Sequence, residues 1–313
     1  MNPWLPKCPR PAFSDHGGER DLPAVFGGCY RYPFAGVEHP CAQELSAFLV
    51  CAMPCTCVGG CQPTGYVMTP GTRVPRIFEG IQAITVDLDD TLWPVAPVLI
   101  AAEQRLTEWL RPRAPRTAEC PPMAARIREL KASFPEHAHD VSWLRLQYLR
   151  QNLQMNGEDP RLAEPAFECF YHARQQVQPY PEVEAVLALW SKHYRLAVIS
   201  NGNADVRRTP LGKYFSVALN AHEFGAAKPD PAIFLAACEA LDVPPAATLH
   251  IGDDWRFDVE PARGLGMQVA WMRRPDLDSL FETIPSKISG LSSVVFQDLW
   301  EVCNALQCQR GWS

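Results

Sequence analysis

The chain has 313 residues, 47% of them apolar and 20% charged, which suits a soluble α/β domain with a smaller one beside it. Its net charge of −6 offers no broad basic field for nucleic acid or an anionic membrane, so any phosphate site must be positive locally. No stretch approaches the roughly twenty apolar residues of a membrane span, and Met1–Cys8 lacks the pattern of a signal peptide, so the expected location is the cytoplasm.

Residues 1–78 are rich in Pro, Gly and Cys and show neither helical period nor strand alternation, so they are expected to be a disordered or non-native extension. Of the twelve cysteines, seven lie between Cys8 and Cys61. Without an export signal they are expected to be reduced thiols. Cys51, Cys55, Cys57 and Cys61 could hold zinc, but their spacing fits no standard finger or ribbon. A start of translation at Met68 would lead directly into the first strand.

That strand is Ile81–Asp87, a β-branched run of the kind a buried parallel strand needs. From about Val95 to Gln178 the pattern is helical: Leu99, Ala102, Leu106, Trp109 and Leu110 share one face, and Val141, Leu144, Tyr148 and Leu149 another. Pro112, Pro115, Pro121 and Pro122 mark one break between helices, and Asn156–Pro160 a second. Strand patterns then return at Arg195–Ser200, Thr248–Gly252 and Met267–Met272, alternating with helical patterns at Val183–Lys192, Pro231–Leu241 and Asp258–Leu265. This alternation predicts a doubly wound, Rossmann-like parallel sheet formed by residues 79–94 and 179–313, with 95–178 inserted as an all-helical domain.

Four elements carry chemistry. The first strand ends in Asp87-Leu88-Asp89-Asp90-Thr91, and strand alternation puts Asp87 and Asp89 on one side of the sheet's carboxyl edge. Two carboxylates there repel unless a cation intervenes, and Mg²⁺ suits such a site because it takes one or two carboxylates and keeps places for phosphate and water. Ser200-Asn201-Gly202-Asn203 ends the next strand and can offer a hydroxyl, an amide and backbone N–H groups to phosphate, though Asn-Gly is also a common plain turn. Lys228-Pro229 supplies a cation, and Gly252-Asp253-Asp254 with Asp258 supplies further acids, Asp258 being equally suited to cap a helix. Three of the four follow predicted strands, and open α/β sheets bind ligands at that edge.

In this order the four elements resemble the motifs of the haloacid dehalogenase superfamily, over roughly Ile81–Ala305, and the inserted helices resemble the cap of its subclass containing phosphoglycolate phosphatases and β-phosphoglucomutases. Ile84–Leu92, Asp140-Val141-Ser142 with Arg145, Ile199–Ala204 and Leu249–Asp254 resemble bacterial phosphatases acting on flavin mononucleotide or a phosphorylated ribitylaminouracil. Pro261 departs from that pattern, where Gly is usual, but a first helical turn tolerates Pro.

The resemblance implies a Mg²⁺-dependent phosphatase for a small phosphorylated metabolite. Asp87 would be the nucleophile and Asp89 the acid and base. Thr91, Ser200, Asn201 and Lys228 would hold the phosphoryl oxygens. The metal ligands would be Asp87, the Asp89 carbonyl and Asp253, with Asp258 or Asp254 acting through water. Asp140, Trp143 and Arg145 in the cap would face the substrate, against the plainer readings of packing, capping and ion pairing. A sugar-phosphate or phosphoglycolate phosphatase, a mutase and a phosphate-binding protein without catalysis are the alternatives.

Overall fold

The computed structural model describes residues 77–275 and 294–310. The expectations about the N-terminal cysteines, zinc and Met68 lie outside the described residues. No helix among the described residues is long and apolar enough to cross a membrane.

Among the described residues, six strands make one parallel sheet: β1 Ala83–Val86, β2 Arg195–Ser200, β3 Val217–Asn220, β4 Thr248–Gly252, β5 Gln268–Met272 and β6 Val295–Phe296. Their order is β3-β2-β1-β4-β5-β6, the doubly wound arrangement expected from the sequence. The helices are α1 Val95–Leu110, α2 Pro115–Ala118, α3 Ile127–Ser133, α4 Val141–Met155, α5 Ala163–Arg174, α6 Val183–Trp190, α7 Ala221–Phe224, α8 Pro231–Ala240, α9 Glu260–Gly264 and α10 Leu299–Arg310.

β1 lies between β2 and β4, with Val86 level with Val198 on one side and Ile251 on the other. It is buried on both faces, which is why its residues form an apolar run without alternation. Side chains alternate all the same. Ile84, Val86, Ala270 and Met272 pack with Val186 and Trp190 of α6 and Val302 of α10, whereas Ile199, Val269 and Trp271 pack with Phe234 of α8 and Ala262 of α9. Each fully buried Leu, Val or Phe contributes about 1.5–3 kcal/mol, and their two layers hold the strand ends in fixed register.

Two strands had no counterpart in the sequence reading. β3 is a half-buried edge strand and β6 is two residues long, so neither carries the apolar run that marks the inner strands. The helix expected from Asp258 instead begins as a π-helical turn, Trp255–Val259, that runs into α9. Pro261 falls in the first turn of α9, where it is tolerated.

Residues 95–174 are helical throughout their regular parts and build their own core. Ala102, Leu106 and Leu110 of α1 meet Ala163, Ala166 and Phe170 of α5 and Leu149 and Leu153 of α4. Leu99 and Trp109, half-buried, pack against this core as expected, whereas Val98 is buried in the core beneath the sheet. Pro115 starts α2, whose first N–H groups are capped from afar by Glu158, accepting from Arg116 N and Thr117 N at 2.9 Å.

Candidate active site

The carboxyl ends of β1, β2 and β4 and the loop before α8 converge on one group of side chains. Lys228 Nζ, 3% exposed, donates to Asp87 Oδ1 and to Asp258 Oδ1, both at 2.5 Å. Oxygens of Asp87, Asp253 and Asp258 all lie within 4.8 Å of one another. Four of the residues anticipated from sequence therefore share one small volume.

Its electrostatics are unbalanced. Burial is the strongest influence on Asp87 and pushes its carboxyl up to about 7, with Lys228 pulling it back and the charges of Asp258 and Asp89 adding to the rise. Asp253 is driven well above the usual carboxylate range, first by burial and then by the charges of Asp87 and Asp258. Burial alone would raise Asp258 too, but Lys228 and His250 outweigh it and hold Asp258 at about 2. Burial disfavours the Lys228 ammonium, yet Asp258 and Asp87 overcome this and keep it above its ordinary value. With all three acids ionised against one ammonium, two negative charges remain, which a divalent cation would balance. An all-oxygen donor set is what a hard cation such as Mg²⁺ prefers, so these residues fit that ion.

Asp258 is also held from beneath. His250 on β4 is wholly buried; its Nε2 lies 3.1 Å from Asp258 Oδ1 and its Nδ1 2.8 Å from Thr85 Oγ1 on β1. Burial, against the pull of Asp258, lowers its pKa and so favours the neutral ring. The consistent tautomer donates Nε2–H to Asp258 and accepts the Thr85 hydroxyl at Nδ1. Gly252 is required here, since a Cβ would run into the Asp258 carboxyl group.

Asp89 stands apart from this cluster. Trp93 Nε1 donates to its Oδ1 at 2.9 Å, and Arg174 Nη2, from the last turn of α5, reaches Oδ1 at 2.7 Å and Oδ2 at 2.6 Å.

Several expectations need correction. The Asn201 amide does not face open space for phosphate: its Nδ2 donates to Lys228 O and its Oδ1 accepts from Lys228 N, each at 2.8 Å, so it clamps the loop that carries the ammonium. The Thr91 hydroxyl donates to Asp253 Oδ1 at 3.2 Å, which orients an acid. Ser200 Oγ accepts from Gly202 N at 3.1 Å, tightening the turn after β2. Asp254 lies outside the acid cluster, because its carboxylate caps the π-helical turn by accepting from Arg256 N and Phe257 N. Capping thus belongs to Asp254, while Asp258 turns its Oδ1 to the site and accepts Asp254 N at Oδ2, 3.2 Å away.

Of the three residues anticipated in the helical segment, Asp140 caps α4 through Trp143 N at 2.9 Å and also meets His222 Nδ1 of α7 at 2.6 Å. Trp143 stacks on His137, ring centres 3.8 Å apart. Both border a cavity of about 260 Å³ between the helical segment and the sheet edge, with Phe167, Tyr171, Asn203 and His222 among its other walls. Arg145 does not reach it. Its guanidinium is buried among the helices, 2.8 Å from Glu103 of α1 and over the ring of Phe170, where packing and an ion pair explain it. The acids do not line the cavity either; Asn203, Ala204 and Asp205 connect its wall to the Ser200 turn.

Arg174, His250 and Trp93 were missed. His250 carried a signal, a polar residue within an apolar strand on the same side as Gly252. Arg174 continues the buried stripe Ala163, Ala166, Phe170 by one more turn, a charge on an apolar face.

Such a sheet edge, with acids after two strands around one lysine, is the ligand-binding edge of a doubly wound α/β protein. The description "haloacid dehalogenase-like hydrolase" matches residues 81–266, and the chain belongs to that family. It is 31% identical over 222 residues to the Escherichia coli 5-amino-6-(5-phospho-D-ribitylamino)uracil phosphatase YigB, covering 69% of this chain and 93% of that protein. A phosphoserine phosphatase of Thermus thermophilus is 34% identical over 136 residues, 42% of this chain and 55% of that one. A solved structure described as a 2-haloacid dehalogenase from Pseudomonas syringae pv. Tomato DC3000 superposes with a TM-score of 0.65 at 36% identity, covering 72% of this chain and 98% of that one.

Proposed function

We propose that this chain, a phosphatase of the haloacid dehalogenase-like family, hydrolyses a small phosphorylated metabolite with Mg²⁺, through an aspartyl phosphate on Asp87. The observation that carries the reading is the meeting of Asp87, Lys228, Asp253 and Asp258 at one strand edge.

The Asp87 and Asp253 carboxylates and the Asp89 backbone carbonyl would hold Mg²⁺, with Asp258 close by. When bound, the ion supplies positive charge to the transferring phosphoryl oxygens and lets Asp87 ionise. Asp87 attacks phosphorus in line and the ester oxygen departs, taking a proton from Asp89. Asp89 then accepts a proton from the water that attacks the same phosphorus, releasing inorganic phosphate and restoring Asp87. Lys228 neutralises charge beside the nucleophile throughout, and backbone N–H groups of the Ser200–Asn203 turn other than that of Gly202 would face the phosphoryl oxygens.

Residues 95–178 would act as a cap over the sheet edge, placing the leaving group in the cavity beside Trp143, Phe167 and Tyr171. Those aromatic walls, and the likeness to the E. coli protein over nearly its full length, favour flavin mononucleotide or a phosphorylated riboflavin precursor over phosphoglycolate or a sugar phosphate. Carbon–halogen hydrolysis, suggested by the P. syringae structure, is disfavoured by Asp89, since an acid at that position serves a leaving oxygen that needs a proton. A mutase, or a binding protein without turnover, would leave no steady release of phosphate.

The test is phosphate release from flavin mononucleotide, the ribitylaminouracil phosphate, phosphoglycolate and hexose phosphates, with Mg²⁺ and with chelator. Release from none of them in the presence of Mg²⁺ would overturn the reading, and a preference for phosphoglycolate would overturn its finer part.

A further inference from the structure

A guanidinium buried to 1% exposure is costly unless its charge and its N–H groups are answered. Arg174 meets that condition only in part. Its Nη2 bonds both oxygens of Asp89, while Nε and Nη1 have no partner among the described residues. A helix end that only needed a C-terminal cation would leave the side chain in water.

The surroundings show why it is drawn in. A Cβ on Gly202 would stand 2.6 Å from Asp89 Oδ2 and 3.5 Å from both Arg174 Nη2 and Ser200 Oγ, so ion pair and turn pack with room for glycine alone. The next residue, Gln175, fastens the same helix end: its Nε2 donates to Asn203 O at 3.2 Å and its Oε1 accepts from Asp205 N at 2.7 Å. Without Arg174, Trp93 Nε1 is the one hydrogen-bond donor left to the Asp89 carboxylate among the described residues. A partly exposed carboxylate on one hydrogen bond samples several rotamers, and an acid–base group must stay within hydrogen-bond reach of its target.

We propose that Arg174 is a positioning residue for the acid–base chemistry of Asp89, so that the seating of the helical segment and the aim of the proton carrier are set by one contact. This rests on the phosphatase reading, since it concerns how Asp89 performs its part.

p-Nitrophenyl phosphate separates the two half-reactions. Its leaving group departs without protonation, so the burst of nitrophenolate reports attack by Asp87, and the slower steady state reports hydrolysis of the aspartyl phosphate, which needs Asp89. With Mg²⁺ present, Arg174→Met is expected to leave the burst rate unchanged and to lower the steady state about 10²-fold, the usual cost of a misplaced catalytic group. Arg174→Lys, which keeps the charge without the planar fork, falls between. In an Asp89→Asn background, Arg174→Met is expected to cost nothing further.

Equal loss in burst and steady state would overturn the proposal, as would an undiminished loss in the Asp89→Asn background; either marks a substrate contact or simple support of the fold. Should Arg174→Met fail to fold, Arg174→Lys bears the same comparison of burst with steady state. A wild-type protein without any phosphatase activity removes both readings, whereas an active one in which the cycle shows no coupling removes this one alone.

Discussion

At the strand ends Lys228 is enclosed by two carboxylates at 2.5 Å, one of them further held by His250; within the helical segment Arg145 meets one carboxylate, Glu103, and its Nη1 has no hydrogen-bond partner among the described residues. Both cations are buried. Around Lys228 the acids outnumber the cation and two of them are forced toward protonation, which folding alone would not select. Around Arg145 the charges pair one to one and an aromatic ring covers the guanidinium, which suits stability. Excess charge held in place, more than burial, separates a working cluster from a structural one.

Several experiments would break or sharpen that contrast. The largest effect belongs to Asp87→Asn, which should lower turnover on the order of 10⁴-fold or more while the fold is retained, as steady-state assay and circular dichroism would show. Because it removes one of three crowded acids, its melting temperature without metal should equal or exceed that of the wild type; a steep fall would mean that Asp87 is structural. Next comes Lys228→Met, which strands Asp87 and Asp258 in the interior and should cost about 3–5 kcal/mol in a denaturant titration, as well as activity.

Metal binding should follow pH. A carboxyl must lose its proton to bind a cation, and Asp87 and Asp253 both hold theirs above the normal range, so Mg²⁺ affinity should rise as pH increases through about 7. Calorimetry in buffers of different ionisation enthalpy would detect the released protons; proton-neutral binding would refute the charge imbalance. In the helical segment, Arg145→Met should cost about 3 kcal/mol of stability with kcat unchanged, and a lost kcat would return Arg145 to the substrate side. The smallest effect is expected of Thr85→Val, about 1 kcal/mol for the bond to His250, with activity kept within several-fold.

How much could be read from sequence follows the same division. Asp87, Lys228, Asp253 and Asp258 were legible because each follows a strand or its loop and each has a charge that phosphoryl transfer needs. The partners of those residues were not. Asn201 clamps a backbone 27 residues away, and a short polar side chain gives no sign of which distant group it will meet. Asp254 and Asp258 were both expected near the metal, but only Asp258 joins the acid cluster, because Asp254 sits one residue before the turn and its carboxylate caps it. Arg174 ends a helix where a basic residue is ordinary, so its place on the apolar stripe was a weak sign of burial and its partner Asp89 shows only once the chain is folded. The sheet was legible in its four inner strands, whereas β3 and β6, at the edges, lack the long apolar runs that burial on two faces demands.

The Asn201 clamp has a consequence of its own. Its amide completes the backbone of Lys228 as a neighbouring strand would, giving one donor and one acceptor in return for one of each. Were that amide hydrolysed to an acid, a known form of chemical ageing where Asn precedes Gly, an oxygen would confront the Lys228 carbonyl and the loop bearing the ammonium would be pushed away. An aged molecule could then keep its sheet intact and lose its chemistry.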